Sequence, residues 1–236
     1  MAWRYPQTAF ADRHEAGRRL AWRLRPLAGE RPVVLALPRG GVPVAFEVAA
    51  ALHAPLDLVL VRKLGAPGNP ELAVGAVVDG ETPCCLLNEE LVRALGVPDA
   101  YLAAEQARQL AEIERRRSLY LGDRPRPSLT GRTVILVDDG IATGATMKAA
   151  LAAARQAGAA RLVVATPVAP ADTLAELREL ADMVVVLMTP AGFAAVGQFY
   201  EDFTQIEDGM VIDLLRRANP QHGGSADAGQ ERGDRS

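Results

Sequence analysis

Short apolar runs alternate along this chain with longer stretches that are apolar on one side only. Val33–Leu37, Leu56–Val61, Val134–Val137, Leu162–Ala165 and Met183–Leu187 are rich in Val, Leu and Ile and too short for helices. They predict buried strands. Ala11–Leu27 places Ala16, Leu20 and Leu24 on one face with arginines elsewhere, the pattern of an amphipathic helix. Val42–Leu52 is apolar nearly all round and predicts a buried helix, while Gly144–Gln156 and Ala171–Leu180 predict two more. Strand and helix in alternation predict an α/β fold, a doubly wound and mainly parallel sheet with helices on both faces.

Three segments depart from that rhythm. Lys63–Pro70 holds Gly65, Pro67, Gly68 and Pro70 and reads as a loop. Leu72–Val78 and Pro83–Leu87 predict a hairpin across Asp79-Gly80. Residues from Asn88 to about Leu121 are helical in pattern, with a break at Gly96-Val97-Pro98 where Pro98 suits a second helix start. The cluster Glu112–Arg117 in this stretch reads as a solvated face with i, i+4 pairs such as Glu112–Arg116, in preference to an RNA-binding patch. Arg124–Thr130 is a Pro-rich connector. The expected organisation is one domain over residues 1–218, with a helical insertion at about 88–122. A tail over 219–236 has nothing to bury and is expected to be disordered.

Composition narrows the picture. Nearly half of the 236 residues are apolar but only 5% are aromatic, so the core must be built from Ala, Val and Leu. A net charge of −3 argues against a general nucleic-acid surface. The apolar runs are too short to cross a bilayer, and the first residues lack the pattern of a secretory signal, so a cytoplasmic protein is expected. Cys84 and Cys85 are adjacent, which disfavours a bridge, and three scattered histidines have no ligand spacing.

The richest chemistry follows the strand Val134–Val137. Asp138 and Asp139 stand at its carboxyl end, and Gly140, Ala142, Thr143, Gly144, Ala145 and Thr146 lead into a helix. Small residues let backbone N–H groups surround a phosphate at the helix start, where the dipole also favours an anion. Two acids repel phosphate but accept from sugar hydroxyls, and they can help hold a hydrated Mg²⁺. Together these parts suit a ribose 5-phosphate. Arg39-Gly40-Gly41, at the end of an earlier strand, offers a second anion site. Arg62-Lys63 puts two cations at the end of the next strand, before the Gly/Pro loop that contains Glu71. Their plain alternative is a solvated strand end.

The run Val134–Thr146 resembles the ribose-phosphate motif of the type I phosphoribosyltransferases, which use 5-phosphoribosyl 1-diphosphate (PRPP). The resemblance implies a phosphoribosyltransferase fold with a small hood and a mobile lid loop. It also implies Mg²⁺ as cofactor, with Asp138 and Asp139 supporting the metal from a second shell. PRPP and a nitrogenous base would be the substrates, nucleic acid and membrane would not be partners, and a homodimer is compatible. Arg39, Gly40 and Gly41 then bind the diphosphate. Family members often carry a non-proline cis peptide in that loop, here expected at Arg39–Gly40. Lys63 and Arg62 act from the lid. The 6-oxopurine branch has a third acid where this chain has Ala142, and Glu71 is the only nearby carboxylate to nominate in its place. The stretch Gly192–Phe203 is either a hood over a base or a hydrophobic latch for the C-terminal segment. A regulator that senses PRPP or nucleotides is the alternative to an enzyme, and the acceptor is not legible.

Overall fold

The computed structural model describes residues 10–219. Five parallel strands form the main sheet: β1 (Val33–Ala36), β2 (Leu56–Leu58), β6 (Thr133–Val137), β7 (Arg161–Val168) and β8 (Met183–Met188), in the order β2-β1-β6-β7-β8. Every residue of β1 and β6 is buried, as expected of central strands covered on both faces. The period of two sorts their side chains. Val34, Ala36, Ile135 and Val137 face a layer built from α1 (Arg13–Leu24), α2 (Gly41–Leu52) and α7 (Asp208–Ala218). Val33, Leu35, Val134 and Leu136 face α5 (Ala145–Gln156) and α6 (Ala171–Leu180). Ala and Val dominate both layers, so the helices sit close to the sheet.

The chain passes from β1 to β2 on one side and later returns to place β6 on the other side of β1. The loops after β1 and β6 therefore diverge, leaving a crevice at the carboxyl ends of the two strands, the position where such sheets bind ligands.

A second sheet holds β3 (Val61–Ala66), β4 (Asn69–Val78) and β5 (Cys84–Leu87), all antiparallel. The hairpin across Asp79-Gly80 is as expected. The loop expected over Lys63–Pro70 is instead the end of a β3–β4 hairpin, turning at Pro67-Gly68, where Gly68 has φ +72°. Alternation of side chains was hidden there, because Leu64 and Ala66 are separated by a glycine and the prolines read as breakers. The insertion folds as α3 (Glu89–Leu95) and α4 (Asp99–Leu121), broken at Gly96-Val97-Pro98.

Glu112 pairs with Arg115 and Arg116 on the open face of α4, as expected. Arg117 does not belong to that face. It is buried and bonds Asp57 at 3.1 Å and Asp79 at 3.5 Å, tying α4 to β2 and to the β4–β5 turn, while Arg124 and Arg126 complete the network. Breaking one partner of such a buried network would leave an uncompensated charge. The tail expected to be disordered lies beyond the described residues, apart from Asn219. Among the described residues no helix is long and apolar enough to cross a membrane.

Candidate functional site

The crevice between β1 and β6 is lined by Arg13, Pro38, Arg39, Gly40, Asp138, Asp139, Phe203, Gln205 and Ile206, and its volume is about 430 Å³. The loop after β1 and the acids after β6 are packed against each other. A Cβ placed on Gly40 would fall onto the Asp139 carboxylate, 2.6 Å from its Cγ. Any side chain at residue 40 would displace that acid. Pro38–Arg39 is a cis peptide bond. The expected position, Arg39–Gly40, is thus one residue too late: the cis bond precedes the arginine.

The two acids differ in their surroundings. Asp139 is buried, and its Oδ2 accepts from Arg13 Nε at 2.7 Å. Arg13 also donates to the Thr204 carbonyl at 2.9 Å, and its guanidinium lies 3.9 Å from the Phe203 ring centre. The Tyr200 hydroxyl donates to the Asp139 carbonyl at 2.6 Å. Asp138 is half-buried, and its Oδ1 accepts from the Asp139 N–H at 2.9 Å. Burial raises the carboxyl of Asp138 well above its ordinary range, and the neighbouring Asp139 charge raises it further. Burial also raises Asp139, against the opposing pull of Arg13. Adjacent acids held this close are stabilised by hydroxyl donors or a cation. Among the described residues no three His, Cys, Asp or Glu side chains gather to cage a metal.

The turn that follows is anchored at both ends. Ile141 N–H donates to the Val168 carbonyl, and Thr173 donates to the Ala142 carbonyl at 2.6 Å. Gly140 is crowded, since a Cβ there would lie 2.8 Å from Val196 Cγ2 and closer still to Cγ1. Ala142, Thr143, Ala145 and Thr146 are exposed, with Thr146 in the first turn of α5, so backbone and hydroxyl donors face solvent at a helix start.

The structure therefore brings Arg39, Gly40 and Gly41 together with Asp138–Thr146. It does not bring the other nominated residues to the crevice lining. Arg62 donates to Gln109 of α4 at 2.9 Å, and Lys63 and Glu71 are exposed on β3 and β4. Of its two readings, the stretch Gly192–Phe203 shows the latch. Phe199 and Tyr200 are buried and strap the chain to Phe10 through the Phe10 N–H and Glu201 N–H bonds, each 2.8 Å, which is a latch. Phe203 leaves the latch and forms a wall of the crevice.

Arg13, Tyr120 and Asp208 were not singled out by the sequence pattern. Arg13 had a signal: it precedes Ala16, Leu20 and Leu24 at helical spacing, an arginine on an apolar stripe. Helix α7 also had one, with Val211, Leu214 and Leu215 on one side.

The chain is similar to known proteins over most of its length. A family model described as phosphoribosyl transferase domain matches residues 7–200. Two provisionally named phosphoribosyl transferases of Mycobacterium tuberculosis, from strains CDC 1551 / Oshkosh and H37Rv, are each 52% identical over 210 residues. That stretch is 89% of this chain and 47% of theirs, so the chain spans about half the length of the curated relatives it matches. The crystal structure of TT1426 from Thermus thermophilus is 48% identical, covers 89% of this chain and 98% of its own, and superposes with a TM-score of 0.77. Both lips of the crevice come from the matched segment, and the chain belongs to the phosphoribosyl transferase domain family.

Proposed function

We propose that the crevice transfers the 5-phosphoribosyl group from PRPP to a nitrogen acceptor and releases diphosphate. One observation carries the reading: the switch in strand order sets an arginine–glycine loop directly against two adjacent acids, one buried and one half-buried, and a turn of small residues at a helix start. In this reading the backbone of Ala142–Thr146, with the Thr143 and Thr146 hydroxyls, holds the 5-phosphate. Asp138 and Asp139 accept from the ribose hydroxyls, with Arg13 keeping Asp139 in place. Arg39, Gly40 and Gly41 receive the diphosphate.

The donor set fits magnesium that keeps part of its water shell, since the acids are hard oxygen ligands too few to cage the ion. Mg²⁺ would supply charge neutralisation on the diphosphate oxygens. The residues of the chain do the rest. The C1–O bond to diphosphate breaks, a C1–N bond to the acceptor forms, and Arg39 stabilises the growing charge on the leaving group. Ala142 has no group to take the acceptor's proton, so in this reading the N–H proton passes to the Glu71 carboxylate. Lys63 and Glu71 can act only when the β3–β4 hairpin folds over the crevice and excludes water. The exposed position of Lys63 and Glu71 and the bond from Arg62 to Gln109 favour, as a second reading, a protein that binds PRPP without turning it over.

Titration calorimetry with PRPP and Mg²⁺, followed by diphosphate release across a panel of bases, tests both. Binding with release on one base supports transfer. Binding without release on any base supports the sensor. Absence of binding refutes both.

A further inference from the structure

The segment that matches the family ends at residue 200, and α7 begins beyond it, yet the first residue of α7 reaches back to the crevice. Asp208 Oδ1 lies 3.5 Å from Nη1 of Arg39, and the Tyr120 hydroxyl donates to the same oxygen over 2.7 Å. Tyr120 is a buried residue in the last turn of α4, within the helical insertion. Two elements distant in sequence thus meet at one carboxylate, and that carboxylate faces the Arg39 guanidinium. The helix that carries Asp208 is seated independently, through Val211, Leu214 and Leu215 in the core. Arg39 has five N–H donors, and Asp208 engages one of its nitrogens at long range, so the fork retains donors for an anion.

We propose that Asp208 and Tyr120 are positioning residues that hold Arg39 in the orientation in which it receives the diphosphate of PRPP. The inference rests on the donor site proposed above. A long side chain that must be immobilised on binding lowers affinity by about three- to tenfold, and a side chain already held avoids most of that loss. Burial and the bond to Asp208 push the Tyr120 hydroxyl up to about 12, so it stays a donor at physiological pH.

Asp208 also carries a negative charge that repels diphosphate, an effect of the opposite sign. Tyr120 separates the two, because Tyr120→Phe keeps the charge and removes only the bond that steadies it. In Asp208→Asn the charge is lost, and measurement at about 0.5 M salt suppresses that electrostatic gain.

The test is calorimetry on the full chain with PRPP and Mg²⁺ and, separately, with ribose 5-phosphate, so that the ratio of the two constants reports the diphosphate half. Y120F, and D208N at high salt, should weaken PRPP about three- to tenfold and leave ribose 5-phosphate within about twofold. Unchanged or tighter PRPP binding in Y120F overturns the proposal. Equal weakening of both ligands also overturns it, since that marks a general structural role. Failure of the wild-type chain to bind PRPP refutes the donor site itself, and is seen before any variant is made.

Discussion

Replacing Arg13 by methionine should be among the most destabilising single changes near the crevice. The side chains of Arg13 and Asp139 are 8% and 12% exposed, and their bond is 2.7 Å. Methionine fills similar volume but leaves a buried carboxylate without its cation. It also gives up the bond to the Thr204 carbonyl and the contact with Phe203. Removing one partner of a buried pair costs about 3–5 kcal/mol. In a domain of this size that corresponds to a fall in Tm of about 6–20 °C. Urea unfolding of the wild type, Arg13→Met, Asp139→Asn and the double variant would measure it. The neutral amide in the double variant removes the stranded charge, so a coupling of about 1–3 kcal/mol should appear. A loss below about 1 kcal/mol in Arg13→Met, the scale of a solvent-screened pair, would refute the reasoning.

Asp138→Asn should stabilise the ligand-free chain while abolishing ribose 5-phosphate binding. The folded-state pKa of Asp138 is raised, so the folded chain holds that proton more tightly than the unfolded chain. Wild-type stability then falls as pH rises from about 3.8 through the raised value, and the gain in Asp138→Asn should appear above that window and vanish below it. Calorimetric scans from pH 3 to 8 check the sign. Gly140→Ala drives a methyl into Val196 and Val168, and should cost about 1–3 kcal/mol while weakening ribose 5-phosphate binding. Full retention of both stability and affinity would contradict the packing described. Arg115 and Arg116 hold the Glu112 carboxyl down to about 2, so its contribution is present above about pH 4.5 and lost as pH falls toward 2. An NMR titration midpoint near 4.5 would show those pairs to be broken in solution.

Legibility of the chain followed from how local each signal was. The strand Thr133–Val137, the acids after it and the small-residue turn are consecutive, so sequence order alone places them at one strand end. Arg39 and Gly40 follow β1 within a few residues, so their place at its carboxyl end was legible for the same reason. The hairpin at residues 61–78 was not, because the edge pairing of β3 with β4 depends on cross-strand bonds that Gly65, Pro67 and Pro70 disguise. Arg117 was misplaced with its charged neighbours, since a run of charges does not reveal that one of them turns inward to Asp57 and Asp79. Phe203 could not be divided from Phe199 and Tyr200 before the latch to Phe10 was seen.

By itself the sequence determined the α/β alternation, the burial of the central strands, and the composition of the turns that follow β1 and β6, because periodicity and turn composition act over a few residues. Only the tertiary structure decided that strand order places β1 beside β6, bringing the loops together. It also decided that Arg13 neutralises one acid and not the other, and that α4 meets α7 at Asp208, the residue that faces Arg39. Those are contacts across some 80 to 170 residues of chain, set by which layers pack on the sheet, and no local pattern encodes them.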